Sequence, residues 1–266
     1  WVIENNMPLG NKHTNKIDLY NLREVPAYNT VEGVRLRLSA ATNARLHRQL
    51  FAKASIGYGF RDQKVKHREE LAWSFDKKAY HEEEFPRNNI RFIHEYDIFS
   101  PGENNIRLRN DLLLISYRRS RYAMLYRQFA ELNYEKETLY GLSYTLWGRA
   151  SDMTSASNRF FYISQEGVEV HQEHLKVNDV GISFKYWPHQ AYLQDKRQRT
   201  IVSETHPLFY LSHTVGQAKL PTRTQLYHKT ELSYQQRFNL SHYGNLDIVA
   251  DYQKMWNRAP FPLLPY

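Results

Sequence analysis

Two short clusters of histidine and glutamate have the residue types and spacing best suited to chemistry. His171–His174 reads His-Gln-Glu-His and offers two imidazoles three positions apart, a spacing that suits zinc on one face of a helix. His81–Glu84 reads His-Glu-Glu-Glu and offers carboxylates to a hard cation. Both lie between alternating segments, and positions three apart on a strand face opposite ways. We therefore interpret both as solvated, charged connections and predict no metal site.

The sequence carries no signature of catalysis. It has neither a Gly-x-Ser-x-Gly nucleophile elbow nor a glycine-rich phosphate loop. The chain has no cysteine, which removes disulfides, thiolate metal sites and a cysteine nucleophile. We therefore predict a protein without enzymatic activity, catalytic residues or cofactor.

Charged residues that alternate with apolar ones form the main candidate set. Arg35 and Arg37 alternate with Val34, Leu36 and Leu38. An arginine facing lipid costs about 2–4 kcal/mol near the bilayer midplane, so this parity is predicted to face a lumen. The candidate lumen-lining residues are Arg35, Arg37, Lys53, Lys185, Lys229, Glu231, Arg237, Asp247 and Asp251. Such mixed charges can line a pore or pair across strands and fill a barrel interior, and we favour the second.

The longest alternating stretch, 224–256, positions five of these residues. Leu232 and Phe238 share one parity, whereas Glu231 and Arg237 share the other. Gly244 with Asn245 supplies turn chemistry, so the stretch is predicted to be a hairpin. Each arm exceeds ten residues, while strands of soluble proteins usually have about 5–6 and a membrane-crossing strand about 9–11. These lengths favour wall strands of a transmembrane barrel.

The same alternation predicts about twelve strands and no helix. Besides the two hairpin arms, the predicted strands are Val31–Thr42, His47–Phe60, a third ending near Phe75, Ile90–Phe99, Ile106–Tyr117, Tyr122–Tyr134, Leu139–Trp147, Asn158–Val170, Leu175–Trp187 and Thr200–Val215. The predicted fold class is all-β, an antiparallel transmembrane β-barrel. Residues 1–27 are predicted to be an irregular N-terminal segment and 28–266 the barrel region. Three prolines in 260–266 rule out a central strand there, so we expect a fragment truncated before the closing strands.

Composition limits the partners. The net charge is +8, but basic residues are scattered among acidic ones rather than clustered, which argues against nucleic acid. Mean hydropathy is −0.70. The sequence contains no run of about 18 apolar residues, and so predicts no transmembrane helix. Polar barrel interiors are compatible with such a composition.

Several stretches resemble the large outer-membrane proteins of Bacteroidetes that pair an N-terminal carboxypeptidase-regulatory-like domain with a C-terminal barrel of unassigned function. The matching stretches are 28–36, 58–62, 186–199, 206–212, 236–240 and 256–264. The resemblance implies a bacterial outer-membrane location, contact with outer-membrane lipid, lipopolysaccharide and other envelope proteins, and no catalytic residues. We expect a structural, assembly or export role. The alternatives are a passive or gated transport pore and a soluble all-β binding domain.

Overall fold

The computed structural model describes residues 6–11, 13–20, 25–99, 101, 124–156, 161–165, 168–189, 191–194, 199–202, 206–221 and 223–264. Over these residues the chain is all-β, and its helical content is two 3₁₀ turns, Ser241–Tyr243 and Phe261–Leu263. None of the helices described is long and apolar enough to cross a membrane.

Seventeen strands lie in the described residues. They are β1 (Asn6–Pro8), β2 (Ile17–Tyr20), β3 (Pro26–Asn29), β4 (Gly33–Thr42), β5 (Leu50–Gly59), β6 (Val65–Ser74), β7 (Asn88–Phe99), β8 (Leu125–Glu137), β9 (Leu142–Ser155), β10 (Phe161–Gln165), β11 (Val168–Gln172), β12 (His174–Tyr186), β13 (Tyr192–Gln194), β14 (Arg199–Ile201), β15 (Leu208–Lys219), β16 (Thr224–Asn239) and β17 (Asn245–Met255). The long strands coincide with the stretches of alternating polarity, because successive side chains on a strand point to opposite faces.

Thirteen strands form one antiparallel sheet. Its order is β1-β2-β4-β5-β6-β7-β8-β9-β12-β15-β16-β17, with β3 paired to β4. The remaining strands form two hairpins, β10–β11 and β13–β14, which extend two of the connections. In the part of the chain that is described, β1 and β17 do not pair with each other, so the sheet is open.

The sheet has one apolar and one charged face. Val34, Leu36 and Leu38 of β4 are 51%, 47% and 55% exposed, whereas Arg35 and Ser39 on the opposite parity are 8% and 4% exposed. We call the face of Leu36 the apolar face and the face of Arg35 the charged face. Cross-strand partners point to the same face, so the register extends both faces over the whole sheet.

The connections alternate between two edges of the sheet. The upper edge carries residues 43–49, 75–87, 138–141 and 240–244 and the β13–β14 hairpin. The lower edge carries 60–64, 220–221, 223, the β10–β11 hairpin and the segment 256–264. Near the lower edge, a hydrophobic cluster lies on the same side as the charged face. It contains Phe99, Leu125, Met153, Leu175, Val177, Ala218, Leu220 and Tyr227, and Ala259 and Leu263 of the last segment pack against it.

The structure confirms the all-β antiparallel prediction and most of the predicted strands. The predicted turn at Gly244 is present, and this glycine has a φ of 93°. Barrel closure stays a prediction. The predicted strand Ile106–Tyr117 lies outside the described residues, and β7 pairs directly with β8.

Two predicted segments differ from the structure. Asn158–Val170 is not a wall strand: the hairpin β10–β11 forms there, apart from the main sheet. Thr200–Val215 is interrupted, because β14 ends at Ile201 and β15 begins at Leu208, after a proline that has no amide to donate to a ladder. In the described part of 1–27, β1 and β2 belong to the main sheet, and the division into 1–27 and 28–266 stays a prediction.

Candidate functional site

The charged face is covered at the upper edge by the 75–87 connection. Glu82 of this connection is 3% exposed and accepts a 2.9 Å hydrogen bond from Arg91 Nε in β7. Lys53 Nζ in β5 lies 3.1 Å from the second carboxylate oxygen. Burial alone would raise the pKa of Glu82, but Arg91 and Lys53 outweigh it and hold that pKa below its ordinary value. Two strands thus hold one acidic side chain of the connection against the sheet.

The same connection is braced from within and along its length. Lys78 Nζ donates to the carbonyl oxygens of Glu84 and Pro86 at 2.9 and 2.7 Å, and burial lowers the pKa of Lys78. The Glu84 carboxylate accepts a hydrogen bond of 2.8 Å from the amide of Ala79. Arg87 Nη1 lies 3.0 Å from Glu135 of β8. These contacts make the connection a compact element instead of an extended loop.

The β13–β14 hairpin meets this connection. Phe85 stacks on Tyr192 with ring centroids 5.3 Å apart, and the amide of Phe85 donates to Gln194 Oε1 at 3.0 Å. Arg199 of the hairpin makes two hydrogen bonds to Glu137 of β8, at 2.7 and 2.8 Å. Two connections of the upper edge are therefore tied to each other and to the charged face.

A second ionic group lies at the lower edge. The Lys66 side chain has no exposed surface, and its Nζ lies 2.8 Å from Glu32 Oε1 and contacts Asp62 Oδ2. Arg35 makes two hydrogen bonds to Asp97, at 2.8 and 2.7 Å, although β4 and β7 are three strands apart. This group joins β4, β6 and β7 across the intervening strand β5, together with the connections that hold Glu32 and Asp62.

Two glycines of β5 leave the space in which Arg35 reaches Asp97 and the other charged side chains of the lower group meet. A Cβ on Gly57 would lie 3.1 Å from Arg35 Nε, and one on Gly59 would lie 2.3 Å from Asp62 Oδ1 and 2.8 Å from Lys66 Nζ. Both positions point to the charged face, where any larger residue would occupy the space of the charged groups.

The middle of the charged face combines ion pairs with aromatic rings. Arg68 Nε bonds Glu70 at 2.6 Å, and Arg149 Nε bonds Glu131 at 2.8 Å. The guanidinium of Arg149 also lies 4.9 Å from the ring of Trp147. Cation–π contacts of this kind stabilise arginines that have left bulk water.

All nine predicted lumen-lining residues lie on the charged face, and the structure connects most of them to neighbours. Their role as the lining of a lumen stays a prediction. Arg35 and Lys53 belong to the lower and upper ionic groups, and Arg37 donates to Ser55 Oγ at 2.8 Å. Lys185 lies 5.4 Å from the ring of Trp187, and Asp251 is exposed opposite Ser233.

The four other members form two separate ion pairs on β16 and β17. Lys229 Nζ lies 2.8 Å from Glu231, and Arg237 Nε lies 2.6 Å from Asp247. The structure therefore distributes the nine residues over several groups along the sheet and does not gather them at one point.

The two histidine–glutamate clusters identified in the sequence differ in burial. The prediction that His81–Glu84 is a solvated connection is wrong for Glu82 and Glu84, which are buried at 3% and 6% exposure because cations and backbone amides surround their carboxylates. In the other cluster, the His174 side chain is 57% exposed with its Nδ1 3.2 Å from Asp152. The side chain of His171 lies outside the described residues.

Sequence reasoning missed a third cluster, on the apolar face. His67 and Glu69 on β6 and His94 on β7 bring potential ligand atoms within 4.8 Å of one another. The spacing His-x-Glu within a strand was the available signal, because it puts both side chains on one face. The contribution of His94 depends on the β6–β7 register, which the sequence does not give.

The fold and its charged face define a class: an antiparallel all-β domain built on a single large sheet, with most of its described ion pairs on one face. Within that class, residues 6–259 match the model described as "Family of unknown function (DUF5686) C-terminal domain", and the chain belongs to this family. No curated protein and no solved structure matches the chain.

Proposed function

We propose that the chain forms wall strands of a bacterial outer-membrane β-barrel and has a structural, assembly or export role without enzymatic activity. The observation that carries the proposal is the reversed polarity of the sheet. Leucine and valine side chains of β4 are about half exposed, while Arg35 between them is buried. A soluble sheet buries its apolar face instead, whereas a transmembrane barrel turns that face to lipid. The apolar face would contact outer-membrane lipid and lipopolysaccharide.

The reversal holds well beyond β4. Leu132, Leu146 and Leu211, on β8, β9 and β15, are 53%, 46% and 41% exposed on the apolar face. The soluble-domain alternative requires a second layer over such residues, as it does for Leu36 and Leu142. In the described part of the chain no second sheet covers them, which supports the membrane reading.

The large apolar side chains of the apolar face form a band, which we call the apolar band. Its position along the strand shifts from each strand to the next, as in a barrel with tilted strands. It is centred near Leu36 on β4 and near Ile248 on β17. One row of cross-strand partners starts inside the band at Leu38 and reaches Lys176 and Lys219 outside it. The drift is about 1.6 residues per strand, which at about 3.3 Å per residue and about 4.8 Å between strands means a tilt of roughly 45°. Strands of transmembrane barrels tilt by about 35–45°.

Pairing on the charged face favours a structural role over a transport pore. The cations of the upper group bond to Glu82, Glu135 and Glu137, and the 75–87 connection lies over the same face. A ladder of this kind fills and rigidifies an interior. Single-channel recording in planar bilayers separates the two functions: a steady conductance would favour the pore, and its absence the structural role.

Membrane fractionation with one pair of variants tests the location. Ile182 and Asn178 lie on the apolar face of β12, one inside the band and one toward its border. Ile182→Arg should cost about 2–4 kcal/mol of insertion free energy, and the matched control Asn178→Arg about 0–1. We expect the parent and Asn178→Arg in the outer-membrane fraction, with heat-modifiable migration on gels, and Ile182→Arg depleted from it.

Two results would contradict the proposal. One is a parent protein that is native and fully soluble without detergent. The other is equal insertion of Ile182→Arg and Asn178→Arg, since a lipid-facing band must distinguish them.

A further inference from the structure

The three-residue cluster on the apolar face has the composition of a metal site. His67 and Glu69 alternate on β6 and so point the same way, and Glu69 lies directly opposite His94 in the β6–β7 register. We infer that His67, Glu69 and His94 bind a divalent first-row transition metal, with Zn²⁺ as the ion that best fits the donors. This inference does not depend on the proposed membrane location.

The ligand atoms already converge. His67 Nδ1 lies 2.9 Å from Glu69 Oε1, and His94 Nδ1 lies 3.1 Å from Glu69 Oε2. Donors bound to zinc at about 2.0–2.1 Å in tetrahedral geometry lie roughly 3.3–3.4 Å from one another. These two distances need to grow by only a few tenths of an ångström to match that spacing, and all three potential ligand atoms lie within 4.8 Å of one another. The two rings, with centroids 5.2 Å apart, lie on either side of the carboxylate.

A neighbouring strand holds one ligand in place. The amide nitrogen Nε2 of Gln128 in β8 lies 3.3 Å from His94 Nε2, the nitrogen that faces away from the carboxylate, and in this orientation Gln128 donates to the ring. Metal binding through Nδ1 would require the Gln128 amide to rotate by about 180°. With its amide oxygen turned to that nitrogen, Gln128 would accept the Nε2–H and leave Nδ1 free for the metal. Metal-bound histidines almost always have such a partner on the second nitrogen. Gln128 is thus a positioning residue in this site.

The donor set selects the class of metal. Two imidazole nitrogens and one carboxylate oxygen suit zinc and neighbouring transition metals, whereas Ca²⁺ and Mg²⁺ prefer sites made only of oxygen. Three protein ligands also leave a coordination position for water, as in zinc sites that are not purely structural. The surroundings are apolar, because Ile56 lies opposite His67, and Leu71 and Phe92 form the next cross-strand pair on this face.

Calorimetric titration of the purified, folded chain with Zn²⁺ tests the site, with Co²⁺ absorption as the second readout. We expect one ion per chain at micromolar or tighter dissociation constant, and visible Co²⁺ bands of a low-coordinate site. His94→Ala and Glu69→Gln should weaken binding at least tenfold, and Gln128→Leu about tenfold or more, in line with the loss of an outer hydrogen bond.

His174→Ala is the matched control, because His174 is also exposed on the apolar face beside an aspartate, and no second imidazole completes a cluster there among the described residues. Its titration should equal that of the parent. Circular dichroism shows whether each variant is folded, whether or not the chain forms a barrel. The absence of one-to-one binding, or binding that survives the His67→Ala/His94→Ala double substitution, would overturn the inference and leave the cluster as a hydrogen-bonded triad.

Discussion

Replacing Lys66 by methionine should destabilise the protein more than any exposed charge substitution. Lys66 and Glu32 side chains have no exposed surface, and Lys66 Nζ bridges Glu32 and Asp62. Methionine keeps the length of the side chain but removes the charge, which leaves two buried carboxylates with one cation fewer. Breaking a buried pair by removing one partner costs about 3–5 kcal/mol. Arg35 still lies 3.4 Å from Glu32, so we expect a loss near 3 kcal/mol, the lower end of that range.

Urea unfolding in detergent micelles, followed by tryptophan fluorescence and by heat-modifiable migration, gives the free energy of unfolding. Arg237→Met is the control, because the Arg237–Asp247 pair is partly exposed and exposed pairs contribute less than about 1 kcal/mol. Adding Glu32→Gln to Lys66→Met removes the uncompensated charge and should restore most of the loss. The reasoning is refuted if Lys66→Met costs no more than Arg237→Met, or if the double substitution is additive.

Three further predictions concern the connections and β5. Arg91 and Lys53 hold the pKa of Glu82 below its ordinary value of about 4.3, so the stabilisation by the Glu82 carboxylate is full above that pH and is lost as the pH falls through the lowered pKa. The protection factors of amides in 75–87, which correct for the slower intrinsic hydrogen exchange in acid, should therefore fall below about pH 4. Glu82→Gln should show low protection factors already at about pH 7. Phe85→Ala removes the stacking on Tyr192 and should speed proteolysis within the β13–β14 hairpin, while β16–β17 stays protected. Gly59→Leu should prevent folding, because its side chain would occupy the space of the lower ionic group; Gly148→Leu, where nothing lies closer than 3.8 Å, should fold.

Alternation of side chains predicted the strands and both faces because that information is local. Arg35 and Leu36 are adjacent and therefore point to opposite faces of the strand. Repetition of this pattern along the chain is enough to predict both faces of the sheet. The sequence did not predict the environment of residues that meet only when the chain folds back on itself. Glu82 looked like a solvated glutamate in a charged connection, and only the folding of that connection onto β5 and β7 buries it. His94 likewise became visible only through the β6–β7 register.

The tilt of the apolar band makes a prediction that a flat or untilted sheet does not share. Leu38 and Lys219 lie on the apolar face in one row of cross-strand partners, seven strands apart. A tilted barrel places Leu38 in lipid and Lys219 in water, whereas an untilted one puts both at the same depth. The chain has no cysteine, so Leu38→Cys and Lys219→Cys each introduce a single thiol. In intact membranes a water-soluble maleimide should label Lys219→Cys and spare Leu38→Cys, and both should react after denaturation. Equal labelling of Leu38→Cys and Lys219→Cys in the membrane would mean that the apolar band runs along the rows of cross-strand partners. That result would contradict the strand tilt derived from the shift of the band.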